Sequence, residues 1–144
     1  MQVHDLLDRK GSSVETTKPG STVVVAVSQM RLRGVGALVV SEDGRSIDGI
    51  LDERTIVWSF AHHSRALADL HVRDIMRRQV VTCAPTDSLK DVMAKMTVNR
   101  VRHLPVVERG ALVGLVSIGD TVKSRLEELE LETSVLHDIA LARR

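Results

Sequence analysis

Val3-His4-Asp5-Leu6-Leu7 is written again as Val72-Arg73-Asp74-Ile75-Met76, 69 positions further on, with valine, aspartate and two apolar residues in register. Self-similarity at this distance decides the fold, because a duplicated unit is one pattern used twice rather than a string of unrelated elements. Working outward, Val14, Pro19, Val23, Ala26, Val27 and Met30 correspond to Val80, Pro85, Leu89, Val92, Met93 and Met96, each displaced by 66. The last four of each set fall at i, i+3, i+4 and i+7, which is one face of a helix. The β-branched run Val23 to Val27 would also suit a strand, but the period and the second copy favour helix. A two-strand pattern follows in each copy: Gly36 to Val40 and Ile47 to Leu51 around Glu42-Asp43-Gly44, then Leu104 to Val107 and Leu112 to Val116 around Glu108-Arg109-Gly110. Both turns contain residues that tolerate the positive φ of a tight hairpin. Gly49 and Gly114 match at a displacement of 65, and helices are expected to begin near Glu53 and Gly119.

Each copy thus predicts strand, helix, strand, strand, helix, behind a short amphipathic lead-in helix. The fold class is α/β (α+β), with a first copy over residues 1–62, a hinge over 63–71 and a second copy over 72–144. A half of this size leaves one sheet face bare, so the copies are expected to pack sheet to sheet about a pseudo-twofold axis, with clefts at the seam. The second copy ends in a long helix, where Val122, Leu126, Leu129, Leu136, Ile139 and Ala140 recur at spacings of three, four or seven.

At 144 residues with 43% hydrophobic content, the chain is long enough for a real core, and aromatics at 1% leave Val, Leu, Ile, Ala and Met to fill it. Twenty basic against 19 acidic residues give a formal charge of +1, which offers no broad nucleic-acid surface. Any anion site must be local. Cys83 is the only cysteine, so the fold does not depend on an oxidising compartment, and a reducing cytoplasm fits. There is no run of 18 apolar residues and no secretory pattern at the start, so neither a membrane span nor export is expected.

The stretch carrying chemistry is Gly114-Leu115-Val116-Ser117-Ile118-Gly119-Asp120, at a strand-to-helix junction. Free N–H groups at the helix start favour an anion, the Ser117 hydroxyl suits a phosphate or ribose, and Asp120 can accept two hydrogen bonds from a ribose diol. Gly119 lets a backbone approach closely. A purely structural reading is equally available, with Ser117 as N-cap and Asp120 as its first-turn acid. A second cluster, Arg100-Val101-Arg102-His103-Leu104-Pro105-Val106, enters the preceding strand. Arginine grips phosphate, His103 can donate to the same anion, and Val101 can press on a flat base. By itself it also reads as a solvated rim. Pro105 within the strand predicts an edge or irregular pairing.

These residues and the duplicated pattern resemble the CBS-domain family over nearly the whole chain. That family's ligand motif is glycine, two apolar residues, Ser or Thr, two further residues and Asp, which is intact here from Gly114 to Asp120. The resemblance implies that Asp120 holds ribose beside Ser117, that Val101, Arg102 and His103, with Pro105 behind them, contact base and phosphate, and that a first strand at Val80, Val81 and Thr82 edges the adenine. It is most similar to small stand-alone bacterial CBS pairs sharing Asp5-Leu6-Leu7-Asp8-Arg9-Lys10-Gly11 and Ser117-Ile118-Gly119-Asp120. Such a pair is expected to be a non-catalytic sensor of AMP, ATP or NAD, with no required cofactor or metal. It would form a homodimer through the long helix, at Leu126, Leu129 and Leu136, and would act on an unknown effector protein. The rival expectation is an adaptor with no bound nucleotide that works through a protein partner.

The first copy departs from the motif. Gly49-Ile50-Leu51-Asp52-Glu53-Arg54-Thr55 carries Asp52 where the family has Ser or Thr, and Thr55 where it has Asp. An acid at 52 would repel phosphate, so that site is expected to be weakened or vacant, with Asp52 serving as a helix cap. His62-His63 lack partners at ligand spacing and read as a solvated pair. Cys83 reads as a buried, inert thiol. No nucleophile elbow surrounds Ser117, so hydrolysis is not expected.

Overall fold

In the computed structural model, which describes residues 1–144, the first copy runs α1 (Val3–Lys10), β1 (Thr16–Thr17), α2 (Val23–Arg33), β2 (Ala37–Val40), β3 (Gly49–Asp52) and α3 (Glu53–His63). A 3-10 segment over Ser64–Asp69 leads to the second copy: α4 (Val72–Ile75), α5 (Leu89–Asn99), β4 (His103–Glu108), β5 (Ala111–Ser117) and α6 (Ile118–Ala142). The ambiguous valine run is helical. Thr22 caps α2 by accepting the Val25 N–H, and Ser88 does the same for α5 through Asp91. Both helices bury the positions the period selects: Val23, Ala26 and Met30 in one, Leu89, Val92 and Met96 in the other. Val27, expected on that face, is 39% exposed.

The first sheet has order β1-β2-β3, parallel then antiparallel, and the second pairs β4 with β5 antiparallel. The second hairpin turns on Arg109 and Gly110 alone, both at positive φ. Its counterpart needs a longer loop, in which the Asp43 carboxylate accepts the N–H groups of Arg45 and Ser46. The strand expected at Val80 to Thr82 does not form; only Cys83 bridges to Val106. Pro105 explains the loss. Cys83 donates to the Pro105 carbonyl at 3.0 Å and accepts from Val107 at 2.9 Å, but extending that parallel ladder back to Val81 would require an N–H that Pro105 lacks.

Two cores form, and each is completed by the other copy. Val3, Leu6 and Leu7 of α1 lie with Leu89, Val92, Met96, Leu104 and Val116 of the second copy. Val72, Ile75 and Met76, their duplicates, lie with Val23, Met30, Leu38 and Leu51 of the first. The backbone repeats this exchange, since Val3 N–H donates to Asp87 at 2.9 Å while Val72 N–H donates to Ser21 at 2.8 Å. The same pair of contacts made in both directions is a pseudo-twofold relation. Glycine stands at its two closest points: a Cβ on Gly114 would meet Leu7 Cδ1 at 2.7 Å, and one on Gly49 would meet Met76 Sδ at 2.7 Å. Neither core contains an aromatic ring, for Trp58 and Phe60 stand outside on α3.

Candidate functional site

The start of α6 is organised as its residues foretell. Ser117 Oγ accepts the Asp120 N–H at 3.1 Å, and Asp120 Oδ2 accepts the Ser117 N–H at 3.2 Å, a reciprocal capping box. The structural reading of this pair is therefore satisfied in full, and a ligand would have to use what it leaves over. Asp120 Oδ2 also takes Lys10 Nζ at 2.6 Å. Burial works to raise the Asp120 carboxyl, but the Lys10 and Ser117 hydrogen bonds hold it below its ordinary range.

Strand pairing brings the second cluster to the same place. His103 faces Ser117 across β4 and β5, and the Arg102 carbonyl accepts the Ile118 N–H at 2.8 Å. Asp120 and the Arg102 backbone thus share one end of the sheet, with the Arg102 side chain in solvent. His103 points into the seam, where its Cε1 would lie 3.6 Å from a Cβ on Gly36. Its Nδ1 is buried without a partner. Burial is the largest influence and lowers the imidazole, against the opposing pull of Asp52, Glu53 and Asp120. Arg100 enters this segment at φ 54 where its duplicate, Gly34, has φ 65. A left-handed arginine costs about 1 kcal/mol, and strain of that kind gathers at functional sites.

Val80, Val81 and Val101 line one cleft of about 700 Å³, together with Arg77, Arg78 and Asn99. Val81 and Val101 also rest on the second core, which fixes the cleft floor. Thr82 adjoins it, its carbonyl accepting Lys95 at 3.3 Å. Pro105 is buried inside β4 and lines no part of this cleft. The expected residues thus fall into two groups, the valines of a mixed cleft and a polar corner, joined through the run Val101-Arg102-His103.

The first-copy corner is different. Asp52 is 8% exposed, caps α3 by accepting the Thr55 N–H at 2.8 Å, and takes Arg77 Nη2 at 2.7 Å. The expected helix cap is present. An arginine now neutralises the acid, and the Arg77 backbone is tied to Ile50 by two 3.0 Å hydrogen bonds. Lys10 and Arg77 are the site residues that sequence reading passed over. Lys10 ends α1 and Arg77 follows α4, so their targets become visible only once those helices are seen to cross to the other copy. Away from the site, Cys83 is buried, which pushes its thiol up to about 11, and His62 and His63 stand edge to face at 4.7 Å.

With this geometry in place, the chain was compared with known proteins. A family model described as CBS domain matches residues 4–62 and 72–127. The mitochondrial CBS domain-containing protein CBSX3 of Arabidopsis thaliana is 33% identical over 134 residues, covering 88% of this chain, and the match spans 65% of that protein's length. The CBS domain-containing protein YhcV of Bacillus subtilis is 31% identical over 119 residues, covering 83% of this chain and 84% of the relative. The crystal structure of a CBS-domain-containing protein from Agrobacterium tumefaciens superposes with a TM-score of 0.84 at 39% identity, covering 87% of this chain and 99% of that one.

Proposed function

Since the chain belongs to the CBS-domain family, of which it carries two repeats, we propose that it is a non-catalytic sensor that binds one adenine nucleotide, AMP, ATP or NAD, in the second-copy cleft. One observation carries the reading: the Asp120 carboxylate, the Ser117 hydroxyl and the His103 imidazole lie at one corner of the seam, and the chain from His103 leads directly into a slot walled by Val80, Val81 and Val101. A ribose diol suits the carboxylate, and a flat base suits the valines. The His103 Nδ1, buried at this corner, has no partner within the protein.

Sensing follows from linkage. Both copies contribute to each core, so a ligand that binds only the closed seam stabilises it, by about 2.7 kcal/mol at a hundred times Kd. No bond need be made or broken. In this reading the protein is a homodimer that works in the cytoplasm on an effector protein outside the chain, with no nucleic acid or membrane involved. No helix is long and apolar enough to cross a membrane. Exposed Val122, Leu126 and Leu129 on α6, and Val57 and Phe60 on α3, supply apolar faces for a second subunit.

Titration calorimetry with AMP, ATP, NAD and S-adenosylmethionine tests the proposal. One equivalent of an adenine nucleotide should bind, and Asp120→Ala should weaken it about tenfold or more, the worth of charge-assisted hydrogen bonds. The Lys10 contact on Asp120 favours a second reading, an adaptor whose corner is closed by its own residues. Absence of binding by all four compounds would select the adaptor.

A further inference from the structure

Two ion pairs bind α1 to α6: Arg9 to Glu127 at 3.8 Å and Lys10 to Asp120 at 2.6 Å. Only the last involves the nucleotide corner. Asp120 Oδ2 already serves both the Ser117 N–H and Lys10, whereas a ribose diol calls on both carboxylate oxygens. One of the present donors must yield. The Ser117 N–H belongs to the helix cap, but Lys10 is a long flexible side chain, about one third exposed, on the last residue of α1.

The first copy shows the contrasting case. Arg77 meets Asp52 with its backbone tied on both sides to Ile50 and its carboxylate partner buried, so breaking that pair would leave a buried charge bare. Each corner is thus neutralised by a cation lent from the other copy's lead-in segment, one on a buried acid and one on an acid about one third exposed.

We propose that Lys10 is a displaceable counter-ion, which neutralises Asp120 until a ribose diol takes that carboxylate and then transfers its ammonium to the phosphate of the same ligand. The inference rests on the nucleotide reading above and narrows its ligand class: the corner requires a diol and a phosphate together. A nucleoside would strip Lys10 from its acid and offer no anion in return. A nucleotide replaces the pair it breaks.

Calorimetric titration of AMP and adenosine into the full-length protein and into Lys10→Met tests it. Wild type should prefer AMP by tenfold or more. In the variant AMP should weaken by about tenfold while adenosine binds as well as or better than before, so that the preference collapses. Lys10→Gln, a polar replacement at the same position, should behave alike and guards against a folding effect of methionine. An unchanged AMP-to-adenosine ratio in both variants overturns the role of Lys10 and leaves the nucleotide reading standing. If wild type binds neither compound, both fall together.

Discussion

Replacing Gly114 with alanine should destabilise the protein, although elementary considerations for a strand glycine point the other way. Gly114 has ordinary backbone angles, so alanine there would normally gain about 0.4–1 kcal/mol by restricting the unfolded chain. The exchanged lead-in helix reverses the sign. The new Cβ would lie 2.7 Å from Leu7 Cδ1 and 2.9 Å from Cδ2, well inside ordinary contact. Leu7 is packed in the second core, so it must leave its rotamer or carry α1 outward, at a cost of about 1–3 kcal/mol. Net destabilisation of about 1–2 kcal/mol corresponds to a fall in Tm of roughly 3–8 °C for a chain of this length. Gly49→Ala should cost more, because its Cβ meets the Arg77 carbonyl at 2.8 Å and that carbonyl is held by the Ile50 N–H. Thermal and urea unfolding, run with Leu7→Ala and the double variant, complete the cycle. Truncating Leu7 vacates the space the new methyl needs, so Gly114→Ala should become neutral or favourable in that background. A rise in Tm for the single variant, or strict additivity with Leu7→Ala, would refute the crossing of α1 onto the second copy.

Two further outcomes are expected. His103 is held below its ordinary pKa by burial, so the unfolded chain binds its proton first as pH falls; stability should be full above about pH 6.5 and decline below it. The groups facing the ring are Asp52, Glu53, Asp120 and Lys10, and His103→Asn should flatten the fall in Tm measured between pH 7.5 and 5.5. Leu129→Lys, at a side chain 43% exposed on α6, should leave the melting temperature of the subunit intact and move the protein from dimer to monomer on a sizing column. An unchanged elution volume would count against α6 as the interface.

Most of the fold was legible because duplication lets each copy correct the other. The valine run at 23–27 favours a strand on propensity, and its counterpart Leu89-Lys90-Asp91-Val92-Met93 does not; the shared period settled the matter and both are helices. The hairpin at Arg109-Gly110 was equally readable from turn chemistry. Less legible was where the lead-in helices go. Their repetition was plain, but nothing in Val3-His4-Asp5-Leu6-Leu7 says whether it packs on its own copy or the other, since either sheet offers the same apolar face. The only trace lies in Gly49 and Gly114, strand glycines at matching positions that make room for a side chain arriving from the other copy. The missing strand at Val80 was decided by one absent N–H on Pro105, a residue distant in sequence whose partner had to be known first.

The two corners also show why a degenerate motif need not be an idle one. Asp52 replaces a hydroxyl with a charge at a buried helix start, and a lone carboxylate there would carry a desolvation penalty of several kcal/mol. Arg77 meets that demand from the other copy, held by main-chain bonds that also close the seam against β3. Ser117 needs no such partner, which leaves Asp120 to a lysine on the more exposed end of α1. The exchange of residue types between positions 52 and 55 thus gives the first corner an internal ion pair across the pseudo-twofold contact. In the nucleotide reading proposed above, the other corner, which keeps Ser117 and Asp120 in the family's order, is where an incoming charge would change which groups are paired.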